Sequence, residues 1–253
     1  MRSIDGFRPE QRRAFVAFRP ETAKRFWSIA GHVERSLHMK IEGLANVPRG
    51  RALLVANHAF GWEVLFPMSA IARAQRRPVW VLGEHAWWKV PFLRQLASAV
   101  GTVDGTRENA RDLLEHDELV LVLPGGLREA VKPKELRYRL LWGDRYGFIQ
   151  MAAQHHAPIV PLASIGADDL FDFVGNAYRR GERWLRRTGI PLPLPRRILP
   201  IPHLVPFKFV IGEPIPPPTD LDQRTMRRYR HEVEGALHEL IETELAERAG
   251  IAL

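Results

Sequence analysis

Short apolar runs alternate along this chain with longer stretches in which apolar residues recur at helical spacing. Four of the runs are almost wholly aliphatic, as expected for strands that are buried on both faces of a sheet. Strands that alternate with helices favour a mainly parallel sheet flanked by helices. The sequence therefore predicts an α/β fold in a single domain. The candidate strands are residues 52–56, 79–82, 118–123 and 158–165, with two more at 40–47 and 207–211.

Both ends of the chain are predicted to carry a helix. Between residues 21 and 39 the apolar side chains at helical spacing are Phe26, Ile29, Ala30, Val33 and Leu37. This pattern is typical of a surface helix packed on a domain, and also of an amphipathic helix lying in a membrane interface. The sequence alone leaves both interpretations open. From Thr219 onwards the apolar positions predict a long, mostly structural C-terminal helix.

The predicted domain organisation is simple. Residues 1–39 form an N-terminal arm with the amphipathic helix, and residues 40–253 form the main domain. Within it, residues 178–206 change character, because a cluster of arginines is followed by prolines interleaved with Leu and Ile. Those prolines exclude a regular helix or a central strand. We interpret this basic, apolar excursion either as a solvated loop over an apolar groove or as a segment that contacts a membrane.

Charge and composition narrow the function classes. The net charge of +8 favours anionic surroundings such as phospholipid headgroups, a phosphorylated cofactor or nucleic acid. The chain has no cysteine, which excludes disulfides, thiolate nucleophiles and Cys-based zinc sites. Its histidines lack the spacing of familiar metal-binding motifs, and no nucleic-acid-binding motif is recognisable. We therefore expect the protein to bind neither a metal ion nor nucleic acid. A signal peptide and a membrane-spanning run of about 18 apolar residues are also missing from the pattern.

Candidate chemistry lies where the strand at 52–56 ends. Asn57 and His58 terminate that strand, and Gly61 permits a tight reversal of the chain. A helix is predicted to begin at Trp62, with Glu63 in its first turn. Four residues separate His58 from Glu63, which is enough for the carboxylate to fold back onto the imidazole. Such a pair supplies a general base and the group that orients it.

Glycines follow the strand at 118–123, in the run Pro124-Gly125-Gly126. Their N–H groups can approach a ligand closely and hold a developing oxyanion, although a plain turn after a strand is the alternative. Because ligands gather at the carboxyl ends of parallel strands, this run and His58 are expected to share one crevice. Residues 101–109 are predicted to be a loop that turns into a helix ending at Leu114.

Several blocks together carry a resemblance to a known family. NHAFGWE, residues 57–63, is similar to the N-H-x4-D/E block of the glycerolipid and lysophospholipid acyltransferases. LPGGLREA, residues 123–130, resembles the P-G-G-x-R-E-A block of the diacylglycerol-acyltransferase-like branch, which includes the phytyl ester synthases. GTVDGTREN, residues 101–109, lies where the superfamily has its second motif. The resemblance covers roughly residues 40–169, with the blocks in the family's order.

The resemblance implies transfer of a fatty acyl group from acyl-CoA or acyl carrier protein to a lipid hydroxyl, in phospholipid or other glycerolipid biosynthesis. His58 is then the general base, acting without a covalent acyl-enzyme, and Glu63 orients it. No bound cofactor or metal is implied. We expect a cytoplasmic protein that is peripheral to the inner, anionic face of the cell membrane. The implied substrate-binding residues are Asn57, Gly61, Arg107, Asn109, Pro124, Gly125, Gly126, Arg128 and Glu129.

Two departures from the family pattern leave the acceptor open. Typical members have Asp where this chain has Glu63, and they have F-P-E-G where it has residues 123–126. The lost carboxylate weakens the case for a lysophosphatidic-acid-type acceptor and admits a neutral alcohol such as diacylglycerol or a long-chain alcohol. Two other classes stay as alternatives: a lipid esterase or thioesterase, and a non-enzymatic basic lipid-binding module. Against the esterase, Ser164 lies in Leu-Ala-Ser-Ile-Gly and lacks the first glycine of a nucleophile elbow.

Overall fold

The structure is a computed structural model that describes residues 18–59, 61, 63–85, 88, 91–130, 132–170 and 205–250. For residues 91–93 it describes the backbone alone. Most of the predicted excursion at 178–206, the arm before residue 18, and Trp62 lie outside these ranges. The division into 1–39 and 40–253 stays a prediction.

Seven strands form one sheet, in the spatial order β1-β7-β6-β2-β5-β3-β4. Neighbouring strands pair in parallel except for β6 and β7, which are antiparallel. The predicted α/β fold with a mainly parallel sheet is therefore confirmed. The strands are β1 Lys40–Glu42, β2 Ala52–Ala56, β3 Val79–Gly83, β4 Thr102–Asp104, β5 Leu119–Val122, β6 Ile159–Ile165 and β7 Lys208–Ile211.

Helices pack on both faces of this sheet, and the apolar strands explain why. Strand β2 is buried along its whole length; Leu53 and Val55 join one core cluster while Ala52, Leu54 and Ala56 join the other. Alternate side chains thus serve opposite faces, as the strand period of two requires. The helices are α1 Pro20–Ser36, α2 Leu65–Gln75, α3 Pro91–Ala99, α4 Arg107–Glu115, α5 Gly126–Ala130, α6 Gly147–Gln154 and α7 Gln223–Ala249.

Two strand predictions were wrong in detail. The predicted strand 40–47 stops at Glu42, and residues 44–46 form a 3₁₀ turn. Gly43 has a φ of +75°, and a Cβ there would overlap the carbonyl oxygen of Ile211, so the chain leaves the sheet at this glycine. The segment 101–109 is more than a loop, since Thr102–Asp104 pairs with β3 as the edge strand.

Helix α1 packs on the domain through a different face from the one predicted. Its buried residues are Ala23, Trp27, Ala30, Gly31 and Glu34. Arg73 of α2 binds the Glu34 carboxylate and the Trp27 carbonyl oxygen, and its guanidinium occupies the space beside Gly31. Hydrophobic periodicity did not single out this face, because apart from Trp27 it consists of small residues and a partly buried ion pair. Of the predicted apolar positions, Ile29, Val33 and Leu37 are exposed, by 63%, 37% and 52%.

Candidate active site

A cleft of about 890 Å³ opens at the carboxyl ends of β2, β3 and β5. The position agrees with the rule that ligands of parallel sheets bind beyond the carboxyl ends of the strands. His58 enters the cleft from the end of β2, and Pro124 and Gly126 enter it from the end of β5. Most of the wall is apolar, with Leu53, Val81, Leu96, Val100, Val122, Phe148 and Met151 among its residues.

His58 and Glu63 meet at the corner after β2. The Nδ1 atom of His58 lies 2.8 Å from Oε1 of Glu63. The same carboxylate accepts backbone N–H bonds from Ala59, at 2.9 Å, and from Gly61. The tight reversal predicted at Gly61 is confirmed by its φ of +98°. Because the chain curls around the carboxylate in this way, residues 63 and 64 form a turn and α2 begins only at Leu65, not at Trp62 as predicted.

The electrostatics of this pair favour an ionised carboxylate. The Glu63 side chain is completely buried, and that of His58 is 11% exposed. Burial works against the charge on Glu63, but the charge and hydrogen bond of His58, with the N–H group of Ala59, hold the pKa of Glu63 below its ordinary value. A carboxylate accepts the hydrogen bond, so Nδ1 of His58 carries the proton and Nε2 is left with the lone pair. The pair can therefore act as an oriented general base.

The glycine run beside the cleft is shaped by the residues around it. Gly125 is buried, and a Cβ there would overlap the Glu129 side chain. Gly126 has a φ of +52°, and its open side is filled by the guanidinium of Arg145, which donates to the carbonyl oxygen of Pro124. Arg145 also lines the cleft. The N–H of Gly126 donates to the carbonyl oxygen of Leu123 at 2.9 Å, so within the turn it is already paired. An oxyanion-binding role for the run stays a prediction.

The other predicted substrate-binding residues occupy different places. Arg107, at the start of α4, lines the cleft and also an adjoining pocket of about 240 Å³. Arg128 is exposed on α5. Asn109 donates its side-chain N–H to the carbonyl oxygen of Asp104 at 2.8 Å and so holds the loop between β4 and α4. Asn57 is fully buried and bonds both the N–H and the C=O of Ser164, which ties the end of β2 to β6.

Glu129 lies beneath the site, fully buried. Its Oε1 accepts the backbone N–H of His58 at 2.9 Å, and its Oε2 accepts that of Leu141 at 3.1 Å. Burial raises the pKa of the Glu129 carboxyl, although Lys132 and these two donors oppose the rise. The carboxylate thus contacts the backbone of the candidate base. A role in substrate binding stays a prediction.

Sequence reasoning missed three residues that belong to the site or to its support. Arg145 was not singled out, yet it contacts the glycine run. Lys132 and Asp168 were not singled out, because their pairing joins segments that are distant in the chain. A lone Lys after a helix and an Asp after a strand give no signal without the fold. Among the residues that the structure describes, no three His, Asp or Glu side chains converge as a metal site would require.

The tight packing at Gly125 gives a stability prediction. We expect Gly125→Ala to lower the free energy of unfolding by about 1–3 kcal/mol or more, because the new methyl group must displace the buried Glu129 side chain. Urea unfolding followed by circular dichroism measures this. Gly235→Ala is the control: it lies in α7 with open space around it and should be neutral or stabilise by about 0.5–1 kcal/mol. Equal stability of Gly125→Ala and the wild type would contradict the close contact.

The fold and the site define an α/β protein with a histidine–carboxylate pair at the mouth of an apolar cleft. The chain belongs to the acyltransferase family, whose "Acyltransferase" model matches residues 38–165. This match runs along the chain from just before β1 to the end of β6, so it contains every strand but β7, and it includes His58, Glu63 and the glycine run. The resemblance that the sequence motifs predicted is confirmed.

Curated relatives point to the same family. The chain is 30% identical over 180 residues to a chicken (Gallus gallus) "DGAT1/2-independent enzyme synthesizing storage lipids", covering 70% of this chain and 52% of the relative. It is 32% identical over 205 residues to the Arabidopsis thaliana "Phytyl ester synthase 1, chloroplastic", covering 69% and 29%. The chain therefore spans about half the length of the first of these relatives and less of the second.

A solved structure shares the fold. The 1-acyl-sn-glycerophosphate (LPA) acyltransferase PlsC from Thermotoga maritima superposes with a TM-score of 0.54, covering 87% of this chain and 79% of that one. The sequences are 16% identical, so this similarity concerns the fold alone.

Proposed function

We propose that this protein transfers a fatty acyl group from an acyl thioester to the hydroxyl group of a lipid alcohol. The observation that carries the proposal is the 2.8 Å contact of His58 Nδ1 with buried Glu63, because it leaves Nε2 as a base at the mouth of an apolar cleft. Membership of the acyltransferase family and the storage-lipid and phytyl-ester names of the relatives agree with it.

The chemistry follows from the pair. Nε2 of His58 accepts the proton of the acceptor hydroxyl as its oxygen attacks the thioester carbonyl carbon. The carbonyl electron pair moves onto oxygen and forms an oxyanion, which hydrogen-bond donors in the cleft would stabilise. When the carbonyl re-forms, the C–S bond breaks and the leaving thiolate takes the proton back from the imidazolium. One ester and one thiol are produced, and His58 returns to its starting state without an acyl-enzyme.

Glu63 contributes in two ways, by orienting the His58 ring and by placing a negative charge beside it. Its carboxylate fixes the tautomer of His58, and it stabilises the imidazolium that exists between the two proton transfers. Both effects need an ionised Glu63, which the lowered pKa supplies at neutral pH. Three donors anchor the carboxylate, so its own orientation does not depend on the substrate.

The cleft is suited to an acyl chain and a lipid acceptor. Its volume of about 890 Å³ lies at the upper end of the usual range for ligand sites, about 300–1,000 Å³. Aliphatic side chains line its depth, whereas Arg107 and Arg145 lie in its wall as cations for an anionic group. We propose acyl-CoA or an acylated acyl carrier protein as the donor, because each carries a phosphate group that Arg107 or Arg145 could bind.

A direct assay tests the function. Purified protein is incubated with acyl-CoA or acyl carrier protein and a panel of acceptors: diacylglycerol, a long-chain alcohol and a lysophospholipid. Mass spectrometry follows the ester, and a thiol reagent follows the released thiol. We expect one ester per thiol with at least one donor and acceptor. Thiol release without ester would indicate a thioesterase instead, and no product with any pair would overturn the proposal.

We further propose that the protein works at a membrane surface. Ile29 and Val33 of α1, with Leu37 directly after the helix, form an exposed apolar stripe. Phe26, on the same helix, and half-exposed Leu96 line the cleft, so apolar surface continues from the stripe to the cleft. The net charge of +8 suits an anionic bilayer. Within the part of the chain described here, no helix combines the length and apolar character needed to cross a bilayer.

Binding to vesicles tests this surface. We expect Ile29→Glu/Val33→Glu to reduce the bound fraction on vesicles containing phosphatidylglycerol by about 10-fold or more, because burying an aliphatic side chain contributes about 1.5–3 kcal/mol. Flotation through a sucrose gradient measures the bound fraction. Ser28→Glu/His32→Glu, at two positions that are also exposed on α1 but outside the stripe, is the matched control for the two added carboxylates. If Ile29→Glu/Val33→Glu floats like the wild type, the stripe is not the docking surface.

A further inference from the structure

Two buried side chains of the segment after β5 hold the main chain of His58 from both sides. Oε1 of Glu129 accepts its N–H at 2.9 Å, and Nζ of Lys132 donates to its C=O at 3.0 Å. Glu129 is completely buried and Lys132 is 4% exposed. A charged side chain is rarely buried so deeply unless its hydrogen bonds are specific. Both charges are directed at one peptide segment, the one that carries the candidate base.

The two side chains are anchored in turn. Lys132 forms an ion pair of 2.9 Å with Asp168, which follows β6 and accepts the N–H of Tyr138 at 2.6 Å. The second oxygen of Glu129 accepts the N–H of Leu141. This network, made of Glu129, Lys132 and Asp168, thus connects the carboxyl ends of β2, β5 and β6. Its charged atoms bind one another and the backbone, and the three side chains lie outside the wall of the cleft.

We propose that Glu129 and Lys132 are positioning residues that fix the backbone of His58 and thereby aim its imidazole into the cleft. The inference rests on the proposed function, in which His58 is the base. Glu63 sets the rotation and the tautomer of the imidazole ring, whereas the network fixes the position of the backbone from which the ring extends. A displacement of about 1 Å at a reacting group can lower a rate by about 10²-fold, so such a clamp affects turnover more than substrate affinity.

Buried ion pairs can also act on stability alone, and a pair of variants separates the two roles. Lys132→Met leaves the Asp168 carboxylate buried without its cation, which destabilises the fold. Lys132→Met/Asp168→Asn removes both charges, while the amide oxygen introduced at position 168 can still accept the N–H of Tyr138. The double variant therefore regains stability but still lacks the donor to the His58 carbonyl oxygen.

We expect the double variant to recover the melting temperature of the wild type while its kcat stays about 10- to 100-fold lower, with KM values for donor and acceptor changed by less than about threefold. Glu129→Gln is the second probe, because an amide can accept only one of the two N–H groups; the same split between kcat and KM is expected. Recovery of kcat together with the melting temperature would overturn the proposal. Raised KM values with unchanged kcat would also overturn it, since they indicate substrate binding.

One readout does not depend on turnover. In ¹⁵N spectra of the histidine side chains, the signals of His58, assigned by their loss in His58→Gln, should shift in the double variant and in Glu129→Gln. The signals of exposed His238 should not move. Unshifted His58 signals would overturn the positioning role. If the wild type transfers no acyl group in any assay but these signals do shift, the proposed function fails while the clamp on His58 stands.

Discussion

Replacing His58 by Gln is expected to lower kcat for acyl transfer by at least about 10²–10⁴-fold, the usual contribution of general base catalysis. An alcohol is a weak nucleophile, so its attack on a thioester needs a group that accepts the proton. The glutamine side chain is polar and similar in length to the imidazole, with its amide nitrogen near the position of Nε2, but it has no basic lone pair at pH 7. Initial rates at saturating donor and acceptor measure the effect.

His58→Ala and a distant histidine complete the comparison. The alanine variant should lose as much activity, with an added loss of stability because Glu63 stays buried without the imidazole. His116→Ala is the control, since His116 precedes β5 and so lies at the opposite end of that strand from the cleft. It should keep activity within about threefold, as a change away from the site does. A His58→Gln variant with near wild-type kcat, and an unchanged melting temperature, would exclude His58 as the base.

Replacing Glu63 by Gln is expected to lower kcat by about 10²–10⁴-fold, since the matching Asp→Asn change in a serine-protease triad lowers kcat by about 10⁴-fold. An amide can accept the bond from His58 with only one oxygen, and its NH₂ group then faces the N–H of Gly61. Either the tautomer of His58 or the loop must change. We expect KM values to change little, because Glu63 is fully buried and acts through His58.

The same variant has a signature in stability against pH. Because the folded-state pKa of Glu63 is below its ordinary value of 4.5, ionised Glu63 stabilises the fold above about pH 4.5, and this contribution is lost as the pH falls through the folded-state pKa. The wild type should thus exceed Glu63→Gln in free energy of unfolding at neutral pH, and the difference should shrink in acid. Urea unfolding from pH 7 to pH 3 measures it. A constant difference would contradict an ionised Glu63.

Much of the fold could be read from the chain because the relevant signals are local. Aliphatic runs such as 52–56 and 158–165 have no polar face, which in an α/β pattern requires a strand covered on both sides. The edge strand Thr102–Asp104 has three residues and a mixed pattern, so it could not be distinguished from a loop. The start of α2 was misplaced since three bonds to Glu63 outweigh local helix preference.

In the candidate site, too, contacts between residues close in sequence were predictable and contacts between distant residues were not. His58 and Glu63 are close in sequence, so their pairing followed from spacing and from the glycine that turns the chain. Lys132 and Asp168 are 36 positions apart, and neither has a neighbour that reveals the other. The face of α1 was mistaken because burial there depends on Arg73 from another helix. Such contacts carry no periodic signal.

By itself the sequence determined the parallel sheet, the strand ends that carry chemistry and the meeting of His58 with Glu63, because these depend on patterns within a few residues. Only the tertiary structure decided which face of α1 is buried and where Glu129 directs its carboxylate. It also brought Lys132 and Asp168 together around the backbone of the candidate base. The physical reason is that buried polar groups bond to whichever partners lie near them in the folded protein. These partners can be far away in the sequence, so no local pattern predicts them.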